Sequence, residues 1–176
     1  MWSRYAQRFS LQVVLFLLYY IAFREKLVIK SFHVRVSTEL PIGAGLGSSS
    51  TFAVCLAACF LHWARLQKGT HDAFSVQQLS LISNIAMHCE EVMQDYEFGV
   101  ANIVCSNGNK LKFRYKNQDE GNDIILHADV PNMKILLIDS NIRHSKGERA
   151  KQMAMLKCFQ PEFFDNALRR YDVISN

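Results

Sequence analysis

The residues best suited to chemistry are gathered in one stretch, Pro41-Ile42-Gly43-Ala44-Gly45-Leu46-Gly47-Ser48-Ser49-Ser50, the only Gly-rich segment of the sequence. Glycines let a backbone approach an anion closely and take turns closed to other residues. A helix is predicted to start at once after the loop, so its unpaired N–H groups and positive dipole end would face whatever the loop holds. Serines in that position can cap the helix, bind phosphate oxygens or ligate a magnesium ion. A capped helix with a flexible entry is the plainer alternative. Two common phosphate loops do not fit. A Walker A loop needs a lysine near its end, and none is present. The dinucleotide fingerprint needs glycine where Ser48 stands.

A second chemical candidate lies on the next predicted helix, about Ser75 to Gln94. Its apolar stripe is Leu79, Ile82, Ile85, Ala86, Cys89 and Met93. Against that stripe Glu90 falls at the border of the buried face and Glu91 points away. A carboxylate at the edge of a core can reach into a cleft, so Glu90 is either a metal ligand or a surface charge, while Glu91 is solvated.

Several elements must position these groups. An apolar run, Leu11 to Phe23, follows Arg4 and Arg8 and reads as a buried core helix. It is too short to span a bilayer as a helix and Gln12 interrupts it. A targeting segment is the alternative, although no small-residue cleavage site follows. A chain that begins inside a hydrophobic helix is expected to be incomplete. Val28 to Ser37 alternates Phe32, Val34 and Val36 against His33, Arg35 and Ser37, which predicts a strand. After the loop, Phe52, Cys55, Leu56, Cys59, Phe60 and Trp63 recur at helical spacing and are expected to share one buried face. Lys68 to Asp72 breaks that helix. Beyond the Glu90 helix, Ile103 to Cys105, Asn107-Gly108 and Leu111, Phe113 and Tyr115 read as a β-hairpin with a type I′ turn. The alternating Lys110, Lys112, Arg114 and Lys116 form a solvated sheet face. Strands are predicted at Asp123 to Val130 and Met133 to Asp139. Pro161 then divides two helices, Arg149 to Phe159 and Pro161 to Ile174. Helices and hairpins without βαβ regularity favour an α+β fold.

The chain has 176 residues, 49% hydrophobic and 20% charged, enough for a sizeable core and against wholesale disorder. A net charge of +4 suits acidic or phosphorylated small molecules and is too weak to argue for nucleic acid. The five cysteines, Cys55, Cys59, Cys89, Cys105 and Cys158, form no CxxC pair. Neither a disulfide framework nor a zinc site follows, and a reducing cytoplasm is the simpler setting.

The stretch Glu39-Leu40-Pro41-Ile42-Gly43-Ala44-Gly45-Leu46-Gly47-Ser48-Ser49 closely resembles the ATP-binding motif of the GHMP kinase family, its mevalonate kinase branch in particular. The similarity continues into Val54-Cys55-Leu56-Ala57-Ala58 and, more weakly, from Gly99-Val100-Ala101-Asn102 to Leu136-Leu137. The resemblance implies a GHMP kinase-like N-terminal domain of the ribosomal protein S5 domain 2-like type. That domain would occupy residues 1–131, incomplete at its start, with residues 132–176 beginning a second α+β domain. It implies an enzyme that moves the γ-phosphoryl of ATP to the primary hydroxyl of a mevalonate-like small molecule in isoprenoid synthesis. Another GHMP metabolite kinase, or a non-catalytic or truncated nucleotide-binding relative, are the alternatives. Cofactors would be ATP and Mg2+, with no nucleic-acid or membrane partner and a possible homodimer in the cytoplasm. By resemblance Pro41, Gly43, Ala44, Gly45, Leu46, Gly47, Ser48 and Ser49 would bind the nucleotide, and Ser49 and Glu90 would hold the metal.

The same resemblance marks departures. The family's catalytic aspartate falls at Ala101, and a methyl group cannot accept a proton, so no catalytic residue is assigned. Where the family shows His-Gly-Asn-Pro-Ser, this chain has Gln94-Asp95-Tyr96-Glu97-Phe98, and Asp95 or Glu97 would be the nearest substitute carboxylates. The family's N-terminal phosphate-contacting lysine and its later glycine-rich motif have no counterpart here. Asn141 to Lys146 keeps only the basic character of the family's substrate-side segment, with Arg143, His144 and Lys146 as weak candidates.

Overall fold

The computed structural model describes residues 4–42, 44–94, 99–108, 110–114, 123–127, 134–138 and 146–175. In chain order the elements are α1 (Arg4–Glu25), α2 (Ser48–Leu66), α3 (Val76–Gln94), α4 (Val100–Asn107), β1 (Lys110–Arg114), β2 (Asp123–His127), α5 (Lys146–Phe159) and α6 (Pro161–Ser175). The described part is therefore mostly helical, with one two-stranded antiparallel sheet, and carries less strand than the α+β expectation.

Helix α2 lies between α1 and α3, and α4 packs across α3 and α2. The core is built from Val13, Leu17 and Ile21 of α1, a long stretch of α2 centred on Ala57, Phe60 and Leu61, and Ile82, Ile85, Ala86 and Cys89 of α3. Buried Ser50, Ala53, Ala57 and Ala64 are small, which lets the neighbouring helices approach α2 closely. By length and composition α2 could also cross a bilayer, but eight of its residues are buried inside this helical core.

Helix ends are set by local chemistry. Lys26 takes a left-handed φ of 57° and the Leu27 N–H donates to the Ala22 carbonyl at 3.1 Å, a Schellman closure with Leu27 buried against the core. Just beyond it, the Gln67 side-chain amide accepts from the Val28 N–H at 2.9 Å and donates to the Val28 carbonyl at 2.8 Å, tying the exit of α1 to the end of α2. Glu25 meets Arg65 and Lys68 at 3.3 and 3.1 Å beside the same junction. Helix α3 opens with a capping box: the Gln78 N–H donates to Ser75 Oγ, and the Ser75 N–H donates back to Gln78 Oε1.

Four expectations are corrected. Residues 28–37 form neither helix nor strand and join no ladder with a described strand. Alternation alone does not make a strand when no partner takes its N–H and C=O groups. Phe32 still packs its ring near Phe60 and Trp63, at 6.3 and 5.4 Å. Cys55 and Cys59 are exposed, because α2 turns a face carrying Ala53, Val54, Ala57 and Leu61 inward instead. Ile103 to Cys105 is helical, and Asn107-Gly108 closes α4: Gly108 has φ 68° and its N–H donates to Val104 O at 2.9 Å. Asn-Gly serves a helix C-cap as well as a hairpin turn, since both need a positive φ. The β1 strand pairs instead with β2, Leu111 opposite Leu126 and Phe113 opposite Ile124. Finally, residues 134–138 are exposed and outside any ladder.

Helix α1 is buried on one side only. Leu11, Leu15, Tyr19 and Phe23, spaced every four residues, are exposed, Tyr19 at 74% and Phe23 at 80%. The predicted helices around Pro161 are present as α5 and α6, which pack on one another.

The core generates two predictions. Phe60→Ala should cost about 3–5 kcal/mol in urea denaturation, as a fully buried aromatic replaced by a cavity. Burial, and secondarily the charge of Glu90, push the Cys89 thiol up to about 12 from its ordinary 9.0. Below pH 9 both folded and unfolded forms keep the proton and nothing changes. As pH rises from 9 toward 12 the unfolded thiol ionises and the folded one does not, so stability falls. Denaturation midpoints at pH 7.5 and 10 should show a smaller alkaline loss in Cys89→Ala than in the parent.

Candidate functional site

The glycine loop enters α2 through two left-handed glycines, Gly45 at φ 80° and Gly47 at φ 74°. A side chain at either would meet open space, so the backbone conformation rather than crowding demands glycine there. Gly47 is the N-cap and supplies no side-chain cap, and the first intrahelical bond runs from the Thr51 N–H to Gly47 O at 2.9 Å. The N–H groups of Ser48, Ser49 and Ser50 therefore point out of the helix start, as an anion-binding terminus requires. Gly43 lies outside the described residues. Pro41 and Leu46 are exposed and Ala44 is half-buried.

The three serines face different ways, because successive helical residues are turned by about 100°. Ser48 and Ser49 line a mainly apolar cavity of about 210 Å³ between α1, residues 36–42 and α2, whose walls include Phe9, Val36, Leu40 and Phe52. Ser50 is fully buried and points to α3, where its Oγ lies 2.8 and 3.0 Å from the two oxygens of Glu90. Glu90 is half-buried and Glu91 exposed, as their helical positions predicted, with Glu91 3.2 Å from His88 Nδ1. The structure thus joins Glu90 to Ser50, and sets Ser49 on the adjacent, cavity side. Ser50 was not singled out by the loop pattern. Its signal was a polar residue in register with Ala53 and Ala57 on the core face, where a hydroxyl needs a partner.

Helix α4 completes the surroundings. It begins at Gly99, whose left-handed φ of 61° favours glycine; an added Cβ would come within 2.6 Å of Met87 Sδ, the movable end of a flexible side chain. Thr51 Oγ1 and Cys105 Sγ meet at 3.3 Å, linking the first turn of α2 to α4. Ala101 sits in the first turn of α4, half-buried, and offers no acceptor. Asn102 beside it is buried, and its Nδ2 has no hydrogen-bond partner among the described residues. Asp95, Glu97, Arg143 and His144 lie outside the described residues, and Lys146 is the first residue of α5.

Chemically, this is a helix start with uncapped N–H groups, and a carboxylate 40 residues away in sequence is brought beside it. Hydroxyl and carboxylate oxygens are the donors a hard divalent cation takes, and one carboxylate plus phosphate oxygens is a common setting for magnesium. No group of three or more His, Cys, Asp or Glu side chains converges among the described residues. The donor set therefore fits a magnesium ion carried with phosphate better than a metal held by protein alone. Ser50→Ala should lower stability by about 1–3 kcal/mol in urea denaturation, because it strips Glu90 of its hydroxyl partner. Ser49→Ala, on the cavity side, should stay within about 0.5 kcal/mol of the parent.

Comparison with known proteins bears on this geometry. The family described as GHMP kinases N terminal domain matches residues 12–107, which run from α1 to the end of α4. The chain is 26% identical over 158 residues to a mevalonate kinase of Dictyostelium discoideum, covering 84% of this chain and 40% of that protein. It is 32% identical over 174 residues to the Mus musculus mevalonate kinase, covering 94% and 42% respectively. With the Homo sapiens mevalonate kinase it shares 34% over 110 residues, covering 58% and 28%. The chain thus spans about two fifths of the length of the first two of these relatives. No solved structure matches it. A family match over more than half of the 176 residues, on the very helices that build the loop and carry Glu90, places this chain in the GHMP kinase family.

Proposed function

We propose that this chain forms the phosphate-binding side of a mevalonate kinase-like enzyme, one that phosphorylates the primary hydroxyl of mevalonate from Mg-ATP in isoprenoid synthesis. The observation that carries the reading is the entry into α2: two left-handed glycines, open space above them and an uncapped helix start. The loop Pro41, Gly43, Ala44, Gly45, Leu46, Gly47, Ser48 and Ser49 would cradle the phosphates. Ser49 and Glu90 would hold magnesium, which supplies neutralisation of phosphate charge. Phosphoryl transfer rests on positioning and charge stabilisation more than on covalent chemistry, and this loop is suited to positioning. Residues 1–131 would belong to the nucleotide domain and residues 132–176 to a following one, in a cytoplasmic enzyme.

One observation favours a second reading. Ala101 stands in the first turn of α4 with no carboxylate, so a base for the substrate hydroxyl is missing at that position. The second reading is a relative that binds nucleotide without turnover.

Calorimetry with Mg-ATP, together with a phosphorylation assay on mevalonate, tests both. Mg-dependent ATP binding is expected, weakened about tenfold or more by Ser49→Ala or Glu90→Ala, each removing an oxygen from the charged site. Turnover supports the kinase reading, and binding without turnover the second. Absence of nucleotide binding overturns both.

A further inference from the structure

Helix α1 meets the core on one side and solvent on the other. Val13, Leu17 and Ile21 are buried. Successive helical residues turn by about 100°, so Leu11, Leu15, Tyr19 and Phe23 fall on the opposite side, and all four are exposed. Arg8, also exposed, lies one turn before Leu11 on the same side. The rings of Tyr19 and Phe23 stack with centroids 6.5 Å apart and planes within 16° of parallel, so the stripe ends in a paired aromatic surface. Past it, Lys26, Val28, Ile29 and Lys30 are exposed.

The charge along this part of the chain is nearly all of one sign. From Arg4 to Thr38 the single acid is Glu25, against Arg4, Arg8, Arg24, Lys26, Lys30 and Arg35. Glu25 is buried and paired with Arg65 and Lys68, so its charge is met within the fold. From α3 the exposed Glu91 comes only toward the flank of α1. It lies 3.2 Å from His88 Nδ1, and the His88 ring packs near Phe16 and Tyr20.

We propose that this side of α1 docks on an anionic phospholipid surface, with the helix lying in the plane of the membrane. Leu11, Leu15, Tyr19 and Phe23 enter the boundary between headgroups and acyl chains, and Arg8, Lys26 and Lys30 meet the lipid anions. The helix lies on the bilayer and does not cross it, because its other side is committed to the core. A second copy of the chain is the rival occupant, and charge counts against it. Two α1 stripes paired in either orientation would set cations against cations at both ends. Anionic lipid supplies an apolar layer and negative charge together. Such docking runs against the expectation, drawn from resemblance, of no membrane partner. It needs no nucleotide, so its failure would leave the phosphate-site reading intact.

The test is flotation of the full chain with vesicles of phosphatidylcholine alone, and with vesicles of equal parts phosphatidylcholine and phosphatidylserine. Binding is expected on the anionic vesicles and not on the neutral ones, and raised salt should weaken it. Phe23→Glu should reduce it about tenfold or more, because a charge replaces a ring that enters lipid. Arg8→Gln and Lys26→Gln should each reduce it about fivefold while leaving the apolar stripe in place. In the unmodified chain, anionic vesicles should protect Lys26 and Lys30 from acetylation, read by mass spectrometry, and leave Lys151 and Lys157 reactive. That reading decides if a variant fails to fold. No binding to anionic vesicles, equal binding to both kinds, or protection of Lys151 and Lys157 without Lys26 would overturn the proposal. So would a concentration-dependent dimer that Phe23→Glu dissolves and anionic vesicles leave intact.

Discussion

The closeness with which α2 is held between α1 and α3 governs the rest of the described structure. Ser50, Ala53, Ala57 and Ala64 keep one side of α2 narrow, while Phe60 and Leu61 fill the space that remains. Close approach has a cost: any polar group on the narrow side loses water and must find a protein partner. Ser50 finds Glu90, and that bond ties α3 to the first turn of α2. The same contact that satisfies a buried hydroxyl therefore brings a carboxylate to the positive end of a helix. Packing and site chemistry share one cause.

The two ends of α2 are secured differently. At its start the conformation is carried by glycine and the N–H groups stay free. At its end the Gln67 clamp on Val28 and the Glu25 pairing with Arg65 and Lys68 anchor it to the exit of α1. Glu25 is buried, so those two cations offset a desolvated charge rather than decorate a surface. The far end of α2 is thus tied to α1 while its start is left open.

Surface features of α1 follow the opposite logic. Its apolar residues run on all sides, the pattern of a helix covered on every face. Among the described residues Val13, Leu17 and Ile21 are buried and Phe9, Val14, Phe16, Leu18, Tyr20 and Ala22 half-buried against the core, while Leu11, Leu15, Tyr19 and Phe23 stay exposed, as do Val28, Ile29 and Val36. Apolar surface of that extent is unusual on an isolated soluble chain.

Local rules carried much of this protein. The glycine loop, the helix start after it, the α3 stripe, the half-burial of Glu90 with the exposure of Glu91, and the break at Pro161 were all legible in residue order. Each depends on backbone conformation or on periodicity within one element. What residue order could not decide was pairing. The alternation in 28–37 describes a strand whose partner the described residues do not supply. Asn107-Gly108 satisfies a helix cap and a hairpin turn equally, and packing of α4 on α3 and α2 selected the cap. Which side of α2 turns inward, and hence whether Ser49 or Ser50 meets Glu90, was settled by contact with two other helices. The sequence by itself determined a glycine-rich loop at a helix start; tertiary packing chose the serine beside the carboxylate, because only a neighbouring helix can say which face is dry.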